Sequence, residues 1–178
     1  MVRAPEPFLV VASVLGRTLE RVNAAVEGFC GRFGVLGFAS EPLPFSWTDY
    51  YRDELGSSPV RRIIALEQPL DPAGLVELKR FSCRLEVTLS RPESRDVNID
   101  PGVLNQHQLV LASTKPRAHR IYLGHGIYGD QMLVQRGDGF AALEWTYPDY
   151  ADAQVREIFD RLRALYLAKR RIGAGATP

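Results

Sequence analysis

The sequence lacks the features that would place the protein in a specialised structural class. Its only two cysteines, Cys30 and Cys83, form no CxxC pair and fall within predicted helices, which indicates reduced thiols rather than a disulfide framework. Its longest early apolar run, FLVVASVL, has eight residues, whereas a membrane-spanning helix needs about 20. We therefore expect a soluble cytoplasmic protein that does not bind membranes.

Signatures of catalysis and metal binding are missing as well. The chain has no P-loop, no GxSxG nucleophile motif and no HExxH motif. Its three histidines, His107, His119 and His125, follow no local metal-ligand spacing. We expect no structural metal, and the sequence identifies no cofactor.

Negative charge is absent from one long interval. The 29 residues from 101 to 129 contain no Asp or Glu, although the chain has 21 acidic residues and a net charge of +1. The segment LASTKPRAHRIYLGHGIY, Leu111–Tyr128, lies in this interval and is called the basic segment below. Near-zero net charge argues against a protein that grips polyanions over its whole surface, but it allows a local basic patch.

The basic segment carries groups that suit an oxyanion. Hydroxyls, a point charge and planar guanidinium forks are typical of sites for phosphate or carboxylate. The members of this set are Ser113, Thr114, Lys115, Arg117 and Arg120, with His119 as a group that exchanges protons near neutral pH. Because the interval has no carboxylates, we expect these cations to lack internal partners. The alternative is a strand connection with solvated basic side chains.

The order of the elements predicts one α+β domain over residues 1–172 and a flexible tail at 173–178. A buried strand at Phe8–Leu15 precedes a helix that Thr18 caps and Gly34 ends. Further strands at 35–39 and 61–66 and a helix opened by Asp71 and Pro72 complete a β-α-β-β-α-β start, which we expect to be ferredoxin-like. Short β-prone runs after residue 96 predict an extension of β-hairpins, with RGDG as the turn of one, before an amphipathic C-terminal helix.

Two further features supply candidate site residues. NIDPG, residues 98–102, predicts a tight turn at a strand end from which Asn98 or Asp100 projects into a cleft; a purely structural turn is the alternative. The two tryptophans open similar phrases, WTDYY at Trp47 and WTYPDY at Trp145.

The tryptophan phrases allow two interpretations. They predict a pair of aromatic walls that bring Asp49 and Asp149 to the pocket of the basic segment. The alternatives are separate loop anchors for the tryptophans and a helix-capping role for Asp149.

The phrases TDYY, NIDPG, LVLASTK, HRIYLGHGIY and WTYPDY, in this order, resemble the prokaryotic domain-of-unknown-function family 4416. The resemblance extends from about Phe8 to Tyr166. The family pattern leads us to expect an aromatic residue after DPG, where Val103 stands, so no stacking role is carried to that position. The resemblance implies a soluble single-domain protein and transfers no catalytic residue.

Three functions are compatible with these observations. The leading hypothesis is binding of a phosphate-bearing small molecule such as a nucleotide, and His119 and Asp100 are the candidates for acid/base chemistry if the protein is an enzyme. An RNA-binding module would stack bases on Tyr122 and Tyr128. A non-catalytic interaction subunit would use tyrosine-rich segments as anchors. The sequence predicts neither the reaction nor the oligomeric state.

Overall fold

The computed structural model describes residues 5–174, apart from the side chains of Asp49 and of residues 172–174. Within this range nine strands form one antiparallel sheet. The strands are β1 (Leu9–Gly16), β2 (Leu36–Ala39), β3 (Leu43–Pro44), β4 (Val60–Leu66), β5 (Val97–Leu104), β6 (Gln108–Ser113), β7 (Ile121–Gly124), β8 (Ile127–Arg136) and β9 (Gly139–Ala142). The helices are α1 (Leu19–Phe33), α2 (Arg52–Leu55), α3 (Leu75–Leu89), α4 (Pro148–Ala151) and α5 (Ala153–Ala174), and 3₁₀ turns at Asp49–Tyr51 and Pro72–Gly74 precede α2 and α3.

The strand order is β2-β4-β1-β5-β6-β8-β7, with β3 beside β4 and β9 beside β8. Helices and an antiparallel sheet therefore share one architecture, and the predicted α+β class is confirmed. The comparison of the first half with ferredoxin-like folds stays a prediction, as does the division into one domain and a tail, whose residues 175–178 lie outside the described range.

Both faces of the sheet are covered, and β1 shows how the sequence achieves this. Successive side chains on a strand point to opposite faces. Val10, Ala12 and Val14 pack in the core beneath α1 and α3, whereas Leu9 and Val11 belong to the core that contains the apolar face of α5. A continuous apolar run is what a strand buried on both sides requires.

The helix boundaries follow local chemistry. The Thr18 hydroxyl accepts a hydrogen bond from the Arg21 backbone N–H, and α1 ends at Gly34, whose φ of 134° favours glycine. Asp152 accepts a bond from the Gln154 backbone N–H where α5 begins. The capping role considered for Asp149 is therefore wrong, because Asp149 lies one element earlier, in α4.

The tight turn expected at residues 98–102 is also wrong, since these residues are part of strand β5. Proline has no backbone N–H to donate to a neighbouring strand. Pairing of β5 with β6 begins at Gly102 and does not include Pro101, although β6 runs on to Ser113. The part of β5 that precedes Gly102 shares no ladder with β6, and a space opens there between the two strands.

The second half extends the sheet as hairpins. The predicted RGDG hairpin is confirmed, since Gln135 pairs with Phe140 across β8 and β9. Strand β7 forms one edge of the sheet, and its side chains Ile121, Tyr122 and Leu123 are exposed. In residues 5–174, none of the helices is long and apolar enough to cross a membrane.

Candidate functional site

A cavity of about 560 Å³ lies where β5 and β6 separate. Its walls come from six regions of the chain: the end of β1, the segment from Phe45 to Arg61, helix α3, the start of β5, the basic segment and the start of α4. The polar and aromatic lining residues are Ser13, Phe45, Trp47, Thr48, Tyr50, Tyr51, Arg61, Lys79, Cys83, Glu86, Arg95, Asn98, Asp100, Ser113, Thr114, Lys115, Arg117, His119, Arg120, Tyr147, Asp149 and Tyr150.

Ten of the twelve site residues proposed from the sequence line this one cavity. They are Trp47, Asn98, Asp100, Ser113, Thr114, Lys115, Arg117, His119, Arg120 and Asp149. Trp145 lies behind the wall, where its indole stacks on the His119 ring at 5.0 Å between centroids. The side chain of Asp49 lies outside the described residues. The folded chain thus brings the basic segment and both tryptophan phrases together.

Arg120 is not the free cation that the sequence suggested. Its Nε lies 2.8 Å from Asp130 Oδ2 in an ion pair that is buried on both sides. Its Nη1 donates to Ser113 Oγ and to the Lys115 carbonyl, each at 2.7 Å, and its Nη2 donates to the Tyr147 hydroxyl. The expectation that these cations lack internal partners is wrong here, because the β7–β8 hairpin pairs Ile121 with Gly129 and so brings Asp130 next to Arg120. Arg120 therefore links the basic segment to β8 and to Tyr147 in the cavity wall.

His119 is held between an indole and a carboxylate. Trp145 covers one face of its ring at an interplanar angle of 13°, and Trp145 Nε1 in turn donates to the Gln131 carbonyl at 2.8 Å. His119 Nε2 lies 3.3 Å from Asp130 Oδ1. Neither atom has a hydrogen-bond partner among the described residues, so the carboxylate lies close to the ring without a formed hydrogen bond between them.

Arg61 is the most buried charged residue of the cavity, with a side chain that is 1% exposed. Its Nη1 forms an ion pair with Asp149 Oδ2. The rings of Phe45, Trp47 and Tyr150 surround its guanidinium carbon at 5.3–5.7 Å. Its Nε and Nη2 have no hydrogen-bond partner among the described residues. Burial raises the pKa of the Asp149 carboxyl, although the charge of Arg61 acts against this.

Helix α3 lines the cavity with Lys79 and Glu86, and this part of the lining is called the floor below. Lys79 Nζ donates to the Ile99 carbonyl at 2.8 Å and to Asp100 Oδ1 at 3.0 Å. Burial lowers the pKa of Lys79, but the charges of Asp100 and Glu86 outweigh it and the net shift is upward. Glu86 Oε1 accepts the Ile99 backbone N–H at 2.7 Å, and burial raises the pKa of its carboxyl.

Asp100 and Asn98 link this floor to Arg95. Asn98 Nδ2 donates to Asp100 Oδ2 at 2.7 Å, and Asn98 Oδ1 accepts from Arg95 Nη1 at 3.0 Å. Arg95 also binds Glu54 Oε2 through Nε and Nη2, at 3.0 and 2.6 Å. Both oxygens of Asp100 are therefore occupied, which makes it a weak candidate for a general base.

Lys115 and Arg117 stand at the mouth. Lys115 Nζ donates to the Tyr50 hydroxyl at 2.8 Å and lies 4.7 Å from the centre of its ring. In the part of the chain that the structure describes, neither Lys115 nor Arg117 has a carboxylate within ion-pair distance. These two exposed cations are the ones that the acid-free interval leaves uncompensated.

Several lining residues escaped the sequence analysis, although a signal existed for three of them. Alternation along β4 places Arg61 on the same face as the core residues Ile63 and Ala65. Helical spacing places Lys79 and Glu86 on the buried face of α3, beside Leu75 and Leu78. A charged residue on an apolar face was the available signal. No such signal existed for Tyr147 and Tyr150, because the phrase WTYPDY does not show which of its aromatic rings face the cavity.

His, Asp and Glu side chains and the thiol of Cys83 line the cavity. Within the described residues there is no group of three or more His, Cys, Asp or Glu side chains that could hold a metal ion. Cys83 lines the cavity, and burial raises the pKa of its thiol, which disfavours the reactive thiolate.

Comparison with known proteins assigns the chain to one family. The sequence profile described as Domain of unknown function (DUF4416) matches residues 6–166. No curated protein and no solved structure matches the chain.

Proposed function

The chain belongs to the DUF4416 family, and we propose that it binds a phosphate-bearing small molecule in the cavity between β5 and β6. The observation that carries the proposal is the pair of cations at the mouth, Lys115 and Arg117, which have no carboxylate partner among the described residues. Elsewhere in the cavity each cation faces a carboxylate. An oxyanion held at the mouth would neutralise the excess positive charge.

Several hydrogen-bond donors around the cavity are free to bind a ligand. The hydroxyl oxygens of Tyr50 and Tyr147 accept bonds from Lys115 and Arg120, so that each phenol keeps its own hydrogen to donate. Burial raises the pKa of Tyr147, which keeps it protonated. Lys79 uses two of its three hydrogens within the protein. A ligand rich in oxygen acceptors complements such a wall.

The size and shape of the cavity favour a small molecule over an RNA strand. Small-molecule sites are concave, with volumes of about 300–1,000 Å³ and aromatic walls that carry a few polar groups. The cavity of about 560 Å³ is within this range. Tyr122 and Tyr128, the residues on which an RNA-binding module would depend, do not line it and pack on each other near the β7 edge.

If the bound molecule is also a substrate, His119 is the group we propose for proton transfer. It lines the cavity, its ring stacks on Trp145, and its Nε2 lies 3.3 Å from the Asp130 carboxylate. Asp100, the other candidate from the sequence, binds Lys79 and Asn98 with its two oxygens and would act by positioning.

Isothermal titration with inorganic phosphate and with nucleoside monophosphates tests the binding proposal. The double variant Lys115→Ala/Arg117→Ala should bind these ligands at least tenfold more weakly, about 1.4 kcal/mol. The control is Arg136→Ala/Arg171→Ala, which removes two exposed charges outside the cavity and should leave the affinity unchanged. Equal affinity of wild type and the mouth variant, or no binding of any phosphate compound to wild type, would contradict the proposal.

A further inference from the structure

The free edge of Arg61 has a defined geometry. A guanidinium presents Nε–H and one Nη2–H side by side, as two parallel donors, whereas Nη1 points away from them. Asp149 occupies Nη1, and the two nitrogens without a partner among the described residues are Nε and Nη2. The unpaired atoms of Arg61 therefore form one intact bidentate fork. Two adjacent acceptor atoms on a ligand would satisfy both.

Charge decides between the two chemistries that match such a fork. Carboxylate or phosphate would bring a second negative charge to the inner cavity. There the positive Arg61, Lys79 and Arg95 are already balanced by the nearby carboxylates of Asp149, Asp100 and Glu86, at distances of 3.7 Å or less. A neutral group with two adjacent acceptors avoids both the desolvation of another anion and the repulsion by these carboxylates.

Aromatic rings around Arg61 indicate that the neutral group is flat. A heterocycle that pairs with the fork lies in the plane of the guanidinium, so rings packed on the guanidinium face can also cover the heterocycle. Trp47 and Tyr150 are such rings, at 5.3 and 5.4 Å from the guanidinium carbon. The O6 and N7 atoms of a 6-oxopurine are the adjacent acceptors that arginine binds in this manner, whereas adenine offers N7 and a donor.

We propose that the cavity binds a 6-oxopurine nucleotide, with its base on the Nε and Nη2 of Arg61 and its phosphate at Lys115 and Arg117. The inference rests on the proposed phosphate-binding function and adds the identity of the base. Since Nε and Nη2 are buried against the rings, the base reaches them only when the indole of Trp47 shifts from the guanidinium onto the base. Entry of the base therefore changes the surroundings of Trp47.

The test compares three nucleotides on wild-type protein and on the single-tryptophan variant Trp145→Phe. Guanosine monophosphate offers both acceptors, 7-deazaguanosine monophosphate lacks N7, and adenosine monophosphate replaces O6 by a donor. Titration calorimetry should give guanosine monophosphate an affinity at least tenfold above that of the other two, within the range of discrimination for a bidentate arginine pair. Trp47 emission in Trp145→Phe should change with guanosine monophosphate and saturate.

Arg61→Lys keeps the positive charge beside Asp149 and removes the fork. This variant should reduce the preference for guanosine monophosphate over adenosine monophosphate to less than threefold. Arg95→Lys is the matched control, because Arg95 also lines the cavity but is engaged with Glu54, and this variant should retain the preference. If Arg61→Lys does not fold, the 7-deaza comparison on wild-type protein still decides the question.

The failures of the two proposals give different results. If the three nucleotides bind equally and Lys115→Ala/Arg117→Ala weakens all of them, phosphate binding stands and the 6-oxopurine inference is wrong. A preference that persists unchanged in Arg61→Lys also overturns the inference. If neither inorganic phosphate nor any nucleotide binds wild type, both proposals are wrong.

Discussion

Arg120 and Asp130 form an ion pair in which both side chains are 2% exposed, and His119 approaches the second oxygen of the same carboxylate. Removing one partner of a buried pair leaves an uncompensated charge in a medium that solvates it poorly. We therefore expect Arg120→Ala to lower the free energy of unfolding by about 3–5 kcal/mol.

Arg117→Ala is the control for that variant. Arg117 is exposed and has no ion-pair partner among the described residues, so its loss should change stability by less than about 0.5 kcal/mol. Urea denaturation followed by circular dichroism measures both changes. A stability loss below about 1 kcal/mol for Arg120→Ala would show that the pair does not organise the wall. If the expected large loss is found, Arg120 variants are unsuitable for binding assays, because a lower affinity would then reflect unfolding.

The tyrosines of the cavity predict a loss of stability at high pH. Burial raises the pKa values of Tyr51 and Tyr150 above the ordinary value of 10.0. Above about pH 10 the unfolded chain releases these phenolic protons while the folded protein keeps them, so the stabilisation is complete below pH 10 and declines as the pH rises. We expect the free energy of unfolding to fall by more than about 1.4 kcal/mol per pH unit there, because more than one group contributes.

Urea titrations between pH 8 and pH 11 measure this decline. Tyr51→Phe removes one of the contributing groups and should make it shallower. Tyr122→Phe, on the exposed edge strand, controls for the loss of a tyrosine elsewhere. A free energy of unfolding that stays constant from pH 9 to pH 11 would contradict the burial of these phenols.

Gly102 predicts a steric effect at the point where β5 meets β6. A Cβ atom at this position would lie 2.7 Å from Leu111 Cδ2 and 2.8 Å from the Val110 carbonyl oxygen. Gly102→Ala should therefore destabilise the protein by about 1–3 kcal/mol, the usual range for overpacking. Gly31→Ala is the opposite case, because no atom lies within 4 Å of its Cβ position in α1, and it should stabilise by about 0.5–1 kcal/mol.

Thermal and urea denaturation of the two alanine variants give the comparison. Both replacements add one methyl group to a glycine, so their difference isolates the effect of crowding from that of backbone entropy. Equal stabilities of the two variants would mean that β6 moves away from β5 without cost.

Cys83 offers a chemical probe of cavity occupancy. In a Cys30→Ala background it is the single thiol, it lines the cavity, and burial raises its pKa, so alkylation by iodoacetamide at pH 8 should be slow. Saturating guanosine monophosphate should slow it at least fivefold further. The reciprocal variant Cys83→Ala retains Cys30, a residue of α1 that does not line the cavity, and its alkylation rate should not respond to the nucleotide.

Local patterns predicted most of the elements of this fold. The apolar run of β1, the cap at Thr18 and the RGDG hairpin depend on neighbouring residues, and each stands as predicted. Asp-Pro-Gly misled the prediction because the turn preference of these residues is local, whereas their place in β5 is fixed by pairing with β1. Tertiary pairing outweighs a local preference when a strand is central.

The candidate site was predictable in its location but not in its charge balance. An interval without acids identified the basic segment, and ten proposed residues line one cavity. The sequence alone did not give the register of the β7–β8 hairpin that brings Asp130 to Arg120, nor the contact of Asp149 with Arg61, which lies 88 residues away. Which cation remains uncompensated is decided by strand order, and strand order is a property of the whole chain.

The walls of the cavity extend from Ser13 on β1 to Tyr150 on α4, and this span has a consequence for synthesis on the ribosome. A chain that has not yet emerged beyond Tyr150 lacks the Asp149 that holds Arg61 and the hydroxyl of Tyr147 that holds Arg120. We therefore expect a fragment that ends before Asp149 not to bind phosphate compounds in this cavity. Because a ligand stabilises only the state that binds it, its stabilising effect would begin only after Tyr150 has been added to the chain.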